Sequence, residues 1–261
     1  MEWSKNLPQF SRAQVKYLAN TGVLLGQGNF GSVYKNYTVW GESLPPVVVK
    51  VSKKKYFKND LEQETKFLHL LDGAGGAPKL LAYSLALPAI ITTYTGDQTL
   101  RHLLHKSRRV LSDTLLLEIA IKIGQNLMEI HELNIVHNDL HCDNILVTLP
   151  TAKQDLKVSI IDFGLGKMTG GNLDVRPGTG KNQYWMCPQV RVGHPSTTKS
   201  DVYSYGIILN QILDELQSEI SQELADLVQA TCLYNSCDRP PVCALLQELQ
   251  RTLEYVRLQA S

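Results

Sequence analysis

The chain has 261 residues, with 26 Lys+Arg against 25 Asp+Glu and a formal net charge of +1. That balance excludes the strongly basic character of a general nucleic-acid binder. At 43% hydrophobic and 20% charged residues the composition excludes a disordered chain, and no run approaches the ~18 apolar residues of a membrane span. The N-terminal stretch MEWSKNLPQFSRAQ lacks the apolar core of a secretory signal. Cys142, Cys187, Cys232, Cys237 and Cys243 make an odd number with no C-x-x-C pair, which reads as reduced thiols in an intracellular, cytoplasmic protein and not as a zinc site.

In chain order, Val23–Leu25 and Ser32–Val39 are predicted strands joined by a glycine-rich turn. A compact β-branched run follows at Val47–Val51. Asp60–Leu71 is a predicted helix, with Leu61, Phe67, Leu68 and Leu71 at helical spacing. Strands are expected at Lys79–Leu85 and Ala89–Thr95, after a small-residue loop at Asp72–Pro78. Past Gly96 the pattern turns helical. The clearest helix is Asp113–Leu133, with the stripe Leu116, Ile119, Ile123, Leu127 and Ile130 and with Asn134 placed for a left-handed cap. Short strands are expected at Ile145–Thr148 and Val158–Ile161. Ser200 reads as the N-cap of a helix containing Val202, Tyr205, Leu209, Ile212 and Leu216, and Pro241–Leu258 is a last helical region. The expectation is an α+β protein: a short extension at 1–19, a small β-rich lobe over about 20–95 and a larger, mostly helical lobe over about 96–258.

Four segments carry chemistry. Gly26-Gln27-Gly28-Asn29-Phe30-Gly31-Ser32-Val33 has G-x-G-x-x-G spacing. A dinucleotide fold would open a helix here, but the residues that follow are β-like, so a hairpin tip whose bare backbone approaches phosphates is the better reading. Lys50 closes the strand Val47-Val48-Val49 and could reach phosphate oxygens if a carboxylate held it. Glu64 is preferred for that, with Glu62 the alternative. In His137-Asn138-Asp139-Leu140-His141-Cys142-Asp143-Asn144, Asp139 can orient an incoming hydroxyl, and Asn144 offers oxygen to a hard cation such as Mg²⁺. Asp162-Phe163-Gly164 delivers a second cation ligand at the end of an apolar strand.

In this order and spacing the chain resembles the eukaryotic-type protein kinase family over about residues 20–255. Lys199-Ser200-Asp201-Val202-Tyr203-Ser204-Tyr205-Gly206 resembles the start of the helix whose aspartate braces the catalytic loop. Cys237-Asp238-Arg239-Pro240 resembles the family's late arginine segment. The resemblance implies a bilobal fold with ATP between the lobes, Mg²⁺ as metal, and phosphoryl transfer to Ser or Thr of a protein substrate, with Tyr the second choice. It implies no nucleic acid partner and leaves the oligomeric state open. Carried over, Lys50 and Glu64 form the ion pair, Asp139 is the base, and Asn144 and Asp162 are the metal ligands. Leu25, Gly26, Gln27, Gly28, Asn29, Phe30, Gly31 and Ser32 form the nucleotide loop. Val33, Val48 and Leu146 sandwich adenine, Thr92 is the gatekeeper, and Thr93, Tyr94 and Thr95 form the hinge. Leu68, Leu81, His137 and Phe163 stack as the regulatory spine.

The chain departs from the family at several positions. Asn138 stands where many kinases carry the arginine that binds a phosphorylated activation segment, which predicts activity that depends little on such phosphorylation. His141 and Asp143 occupy the positions whose lysine or arginine separates serine/threonine from tyrosine kinases. Gln189 in Cys187-Pro188-Gln189 replaces the glutamate that pairs with the late arginine, so Arg239 gains a hydrogen bond without an ion pair. Two alternatives accompany the enzyme reading: a small-molecule phosphotransferase of aminoglycoside type, and a pseudokinase scaffold.

Overall fold

A computed structural model describes residues 7–28, 31–37, 45–52, 58–96, 98–106, 111–173 and 183–260. The chain divides into two compact units, Met1–Gly73 with Ala77–Asp97, and Ala74–Gly76 with Gln98–Ser261.

The first unit is built on five antiparallel strands: β1 (Val23–Gln27), β2 (Gly31–Asn36), β3 (Val47–Ser52), β4 (Leu80–Ser84) and β5 (Ala89–Thr93), in the order β1-β2-β3-β5-β4. Helix α1 (Arg12–Thr21) precedes them and α2 (Lys58–Leu71) lies between β3 and β4. Register decides the faces, because directly opposed residues share a side. Val33 opposes Lys50, Val48 opposes Thr92, Lys50 opposes Ile90, and Leu80 opposes Thr92. These residues therefore line one face. On the other face Val47, Val49, Ala82, Ala89 and Ile91 form a core with Phe10, Val15 and Leu18.

The extension expected at 1–19 holds most of α1, which ends at Thr21. This helix was legible in the capping box: Ser11 N–H donates to Gln14 Oε1 at 2.8 Å, and Gln14 N–H donates to Ser11 Oγ at 3.3 Å. Val15 and Leu18, one turn apart, then face the sheet; burying each such side chain contributes about 1.5–3 kcal/mol. The Asn36 amide closes the far end by donating to Leu18 O and Thr21 Oγ1. Just before α1, Phe10 N–H donates to Tyr83 O and Tyr83 N–H donates to Pro8 O, covering the edge strand β4.

The second unit contains α3 (Leu100–Lys106), α4 (Asp113–Glu132), α5 (Pro188–Arg191), α6 (Thr198–Leu213), α7 (Gln222–Ala230) and α8 (Val242–Ala260). Short strands β6 (Ile135–Val136) and β9 (Lys167–Met168) pair, as do β7 (Ile145–Thr148) and β8 (Lys157–Ile160). The predicted stripe of α4 is buried throughout, Ser112 caps its start, and Asn134 takes the left-handed conformation after its end with φ 57°. Where α6 crosses its neighbours the fit is close. Tyr205 O–H donates to Ala120 O at 2.8 Å, and a Cβ on Gly206 would lie 1.6 Å from Thr231 Oγ1.

Two helix limits differ from expectation. The N-cap of α6 is Thr197, and Ser200 sits three residues in, accepting the Thr197 N–H at 3.1 Å. Leu216 lies outside α6, because the chain turns after Leu213 and the Asp113 carboxylate takes the N–H groups of Gln217 and Ser218. Helix α7 was missed; Ser221, whose Oγ accepts the Leu224 N–H, was its signal.

Candidate active site

In the first unit, β1 and β2 form the hairpin expected of the glycine segment, closed by Gly28 N–H to Gly31 O at 2.9 Å. Asn29 and Phe30 lie outside the described residues. The three glycines have different reasons to be there. A Cβ on Gly31 would lie 2.2 Å from Val51 O, so the sheet itself demands glycine. A Cβ on Gly26 or Gly28 would meet nothing within 4 Å among the described residues. The fold does not require glycine at these two positions, and the bare backbone leaves room for a ligand. Leu25 falls in an irregularity of the β1–β2 register and is exposed. Gln27 donates to Ser32 Oγ, and Ser32, opposite Val51, points away from the Val33 face.

Lys50 Nζ lies 2.8 Å from Glu64 Oε2 and 3.0 Å from Oε1, with Glu64 6% exposed. Of the two carboxylates weighed from sequence, the structure pairs Glu64 with the lysine. Val33, Val48 and Thr92 share the lysine's face of the sheet. Tyr94 continues from β5, and the Lys35 ammonium lies over its ring at 3.8 Å. Thr93 Oγ1 accepts the Lys79 N–H, and Thr95 follows Tyr94 outside the ladder. Leu81 is a correction. The β4–β5 register shifts between Leu80 and Ala82, so Leu81 packs against the core under α1, while Leu80 opposes Thr92 on the lysine face. An irregularity of one residue reverses the side a side chain takes, and strand alternation alone could not show it.

In the second unit, the His137–Asn144 loop is fastened from below by Asp201 of α6. The fully buried Asp201 carboxylate accepts the His137 N–H at 2.8 Å and the Asn138 N–H at 2.9 Å, and contacts His131 Nε2 at 3.0 Å. This is the brace that the resemblance implied. His137 Nε2 donates to Ile161 O, which leaves Nδ1 to accept the Asp139 N–H, and its ring meets Phe163 edge-on at 4.7 Å. Asn138 and Asp162 hold φ of 65° and 66°. Asn and Asp tolerate that region better than other non-glycine residues, at a cost of about 1–2 kcal/mol each.

Asp139 is partly exposed and held on several sides. Asn144 Nδ2 donates to its main-chain oxygen at 2.9 Å and faces Oδ2 at 3.4 Å; Trp185 Nε1 donates to Oδ1 at 2.8 Å; His141 Nε2 stands 3.8 Å from Oδ2. Ile161 N–H donates to Asn144 O, extending the β7–β8 ladder, so Asp162 leaves the strand beside Asn144. Leu146 opposes Ser159 in that ladder. Among the described residues no group of three or more His, Cys, Asp or Glu side chains could hold a metal. The Asn144 amide oxygen and the Asp162 carboxylate are hard oxygen donors of the kind Mg²⁺ takes, few in number and completed by phosphate and water.

Sequence reasoning missed Trp185, Tyr184 and Arg101. Arg101 Nε donates to Asp143 Oδ2 at 2.6 Å, so a guanidinium from α3 neutralises the acid that stands at the tyrosine-kinase arginine position. Burial is the main reason the Cys142 thiol is pushed up to about 12, which makes it inert. The late arginine, Arg239, is 1% exposed, and its donors reach Leu233 O, Cys187 Sγ, Lys199 O, Gln189 Oε1 and Tyr234 O. Neutral acceptors thus replace the family's ion pair.

Residues 20–251 match the family described as protein tyrosine and serine/threonine kinase. The chain belongs to the protein kinase family. It is 30% identical over 227 residues to dual specificity protein kinase shkD of Dictyostelium discoideum, covering 84% of this chain and 29% of that kinase. It is 26% identical over 273 residues to serine/threonine-protein kinase STY46 of Arabidopsis thaliana, covering 90% and 44%. With serine/threonine-protein kinase CTR1 of Arabidopsis thaliana the figures are 30% over 198 residues, 71% and 22%. This kinase chain therefore spans less than half the length of each of these relatives. Family membership also separates it from the aminoglycoside-type alternative. Its fold class is the expected one, a β-rich unit and a mostly helical unit. Among the described residues no helix is long and apolar enough to cross a membrane.

Proposed function

We propose that residues 20–258 form a catalytic domain that transfers the γ-phosphate of ATP to serine or threonine hydroxyls of proteins, tyrosine being the alternative acceptor. The names of the relatives support the acceptor class. The observation that carries the reading is the Lys50–Glu64 pair, a cation held by both carboxylate oxygens on the face shared with Val33, Val48 and Thr92. The first unit supplies the nucleotide contacts. Lys50 takes α- and β-phosphate oxygens, the backbone at Gly26 and Gly28 approaches the phosphates, Val33 and Val48 cover adenine, and Thr92 to Thr95 bind its edge. Within the second unit, Leu146 is the residue read for adenine, and Asn144 and Asp162 are the residues that would hold a divalent metal. Such a metal, when bound, neutralises phosphate charge.

Asp139 performs the positioning of the acceptor. The incoming hydroxyl donates to its carboxylate; as the hydroxyl oxygen bonds to the γ-phosphorus and the bond to the ADP oxygen breaks, the proton passes to Asp139. Asn138 offers no charge to a phosphorylated activation segment, so complete dephosphorylation should leave turnover intact. Five unpaired cysteines support an intracellular setting. The test is transfer from radiolabelled ATP to peptide arrays scored separately for serine, threonine and tyrosine, with Asp139→Ala and Lys50→Ala as controls. Label that both variants incorporate as fast as wild type would overturn the reading and favour a pseudokinase.

A further inference from the structure

A carboxylate that must take a hydroxyl proton works best with one oxygen turned to the acceptor and its rotamer fixed. In this chain the Asp139 oxygens are not equivalent. Oδ1 accepts the Trp185 indole N–H at 2.8 Å, a short bond to an ionised acceptor. Among the described residues Oδ2 has only longer approaches, from Asn144 Nδ2 at 3.4 Å and His141 Nε2 at 3.8 Å.

Trp185 is itself anchored. Its carbonyl accepts the Ser204 hydroxyl at 2.7 Å, and Ser204 is buried in α6. The next residues, Met186 and Cys187, are buried in a small core against which Trp185 packs. Its ring lies 4.6 Å from that of His141 and 5.3 Å from that of Tyr184. The same helix α6 also carries Asp201, so one rigid element fastens the loop backbone through Asp201 and the tryptophan through Ser204.

We propose that Trp185 is a positioning residue for phosphoryl transfer: its indole N–H occupies Oδ1 of Asp139, fixes the carboxylate plane and leaves Oδ2 to receive the acceptor hydroxyl. This rests on the kinase reading above, and it goes beyond it by assigning a role to a residue outside the four chemical motifs. A group that blocked the site by mimicking substrate would come from a segment free to leave. Trp185 is tied at its main chain by Ser204 and its ring meets those of His141 and Tyr184, as a permanent support is.

The experiment removes the N–H and keeps the ring. Trp185→Phe, and 3-benzothienylalanine incorporated at position 185 as an isosteric ring without a donor, are compared with wild type. Both should lower kcat roughly tenfold, the rate equivalent of one hydrogen bond to a charged acceptor, with KM for ATP unchanged and the melting temperature of the benzothienyl protein kept. Wild-type kcat in the benzothienyl protein would overturn the proposal, as would a rise in KM for ATP that accounts for the whole effect. A second readout needs no turnover. The chain has three tryptophans, and the indole cross-peak that Trp185→Phe deletes identifies Trp185 in a ¹⁵N-tryptophan spectrum. Asp139→Asn should move that peak upfield as the acceptor loses its charge; an unmoved peak overturns the contact. If wild type transfers no phosphate while the peak still moves, the kinase reading fails and the contact stands.

Discussion

Replacing Asp201 by asparagine tests whether the catalytic loop is held by one buried carboxylate. Asp201 receives three donors: His137 N–H at 2.8 Å, Asn138 N–H at 2.9 Å and His131 Nε2 at 3.0 Å. Asparagine keeps one acceptor oxygen. If it stays at Oδ2, the new NH₂ faces the Asn138 N–H, donor against donor, and leaves a buried group unmet at about 1–3 kcal/mol. The two surviving bonds lose their charge assistance, about 1 kcal/mol each. The total, about 3–5 kcal/mol, corresponds to a fall in melting temperature of roughly 10 °C for a chain of this size. Asn138, at φ 65°, would be free to relax, and Asp139 follows it in the chain. The kcat measured at 20 °C, well below the transition, should therefore drop by at least about tenfold. Calorimetry and peptide phosphorylation on the same sample decide the matter. A melting temperature within about 2 °C of wild type with unchanged kcat would refute the brace as the support of the loop.

Glu64→Gln should weaken the hold on Lys50 and raise KM for ATP several-fold while leaving the second unit's stability unchanged, read by ATP titration and hydrogen exchange. Gly31→Ala should cost about 1–3 kcal/mol or more, because its Cβ would press on Val51 O; Gly28→Ala, which meets no described residue within 4 Å, should leave stability alone and lower ATP affinity. Paired melting curves and nucleotide titrations separate the two. Although burial raises the Asp113 carboxyl, the Gln217 and Ser218 N–H groups outweigh it and hold the group below the usual carboxylate range. Its stabilisation is therefore present above the unfolded value of about 4 and is lost as pH falls through the folded one. Asp113→Asn should destabilise at pH 7, and the difference should shrink in urea melts as pH falls below the unfolded value and through the folded one. Brief treatment with iodoacetamide at pH 7.5 should label the exposed Cys237 and Cys243 and spare the buried Cys142 and Cys187, as peptide mass spectrometry would read.

The four chemical segments and most core elements were legible because their signals are local. The stripe of α4 repeats at helical spacing, Asn134 suits a left-handed turn, and the β-branched run at 47–51 has no other comfortable conformation. The choice of Glu64 over Glu62 was also available, since the residues that bury α2 fix which way each acid points. What stayed hidden depends on register or on distant chain. The side taken by Leu81 follows from an irregularity between β4 and β5, and the start of α6 at Thr197 from which of two hydroxyl residues the turn selects.

The primary order alone set out the residues for which chemistry is proposed: a lysine, an aspartate, an asparagine and a second aspartate in kinase order, each marked by a short motif. No local pattern showed what stands behind them. The resemblance pointed to Asp201, 63 residues from the Asn138 N–H it accepts, and to Arg239 with Gln189 across 50; only the tertiary structure revealed Trp185, 46 residues from Asp139. A hydrogen bond across such separations leaves no periodicity in the chain, because it is made when helices and loops pack and depends on where whole elements come to rest.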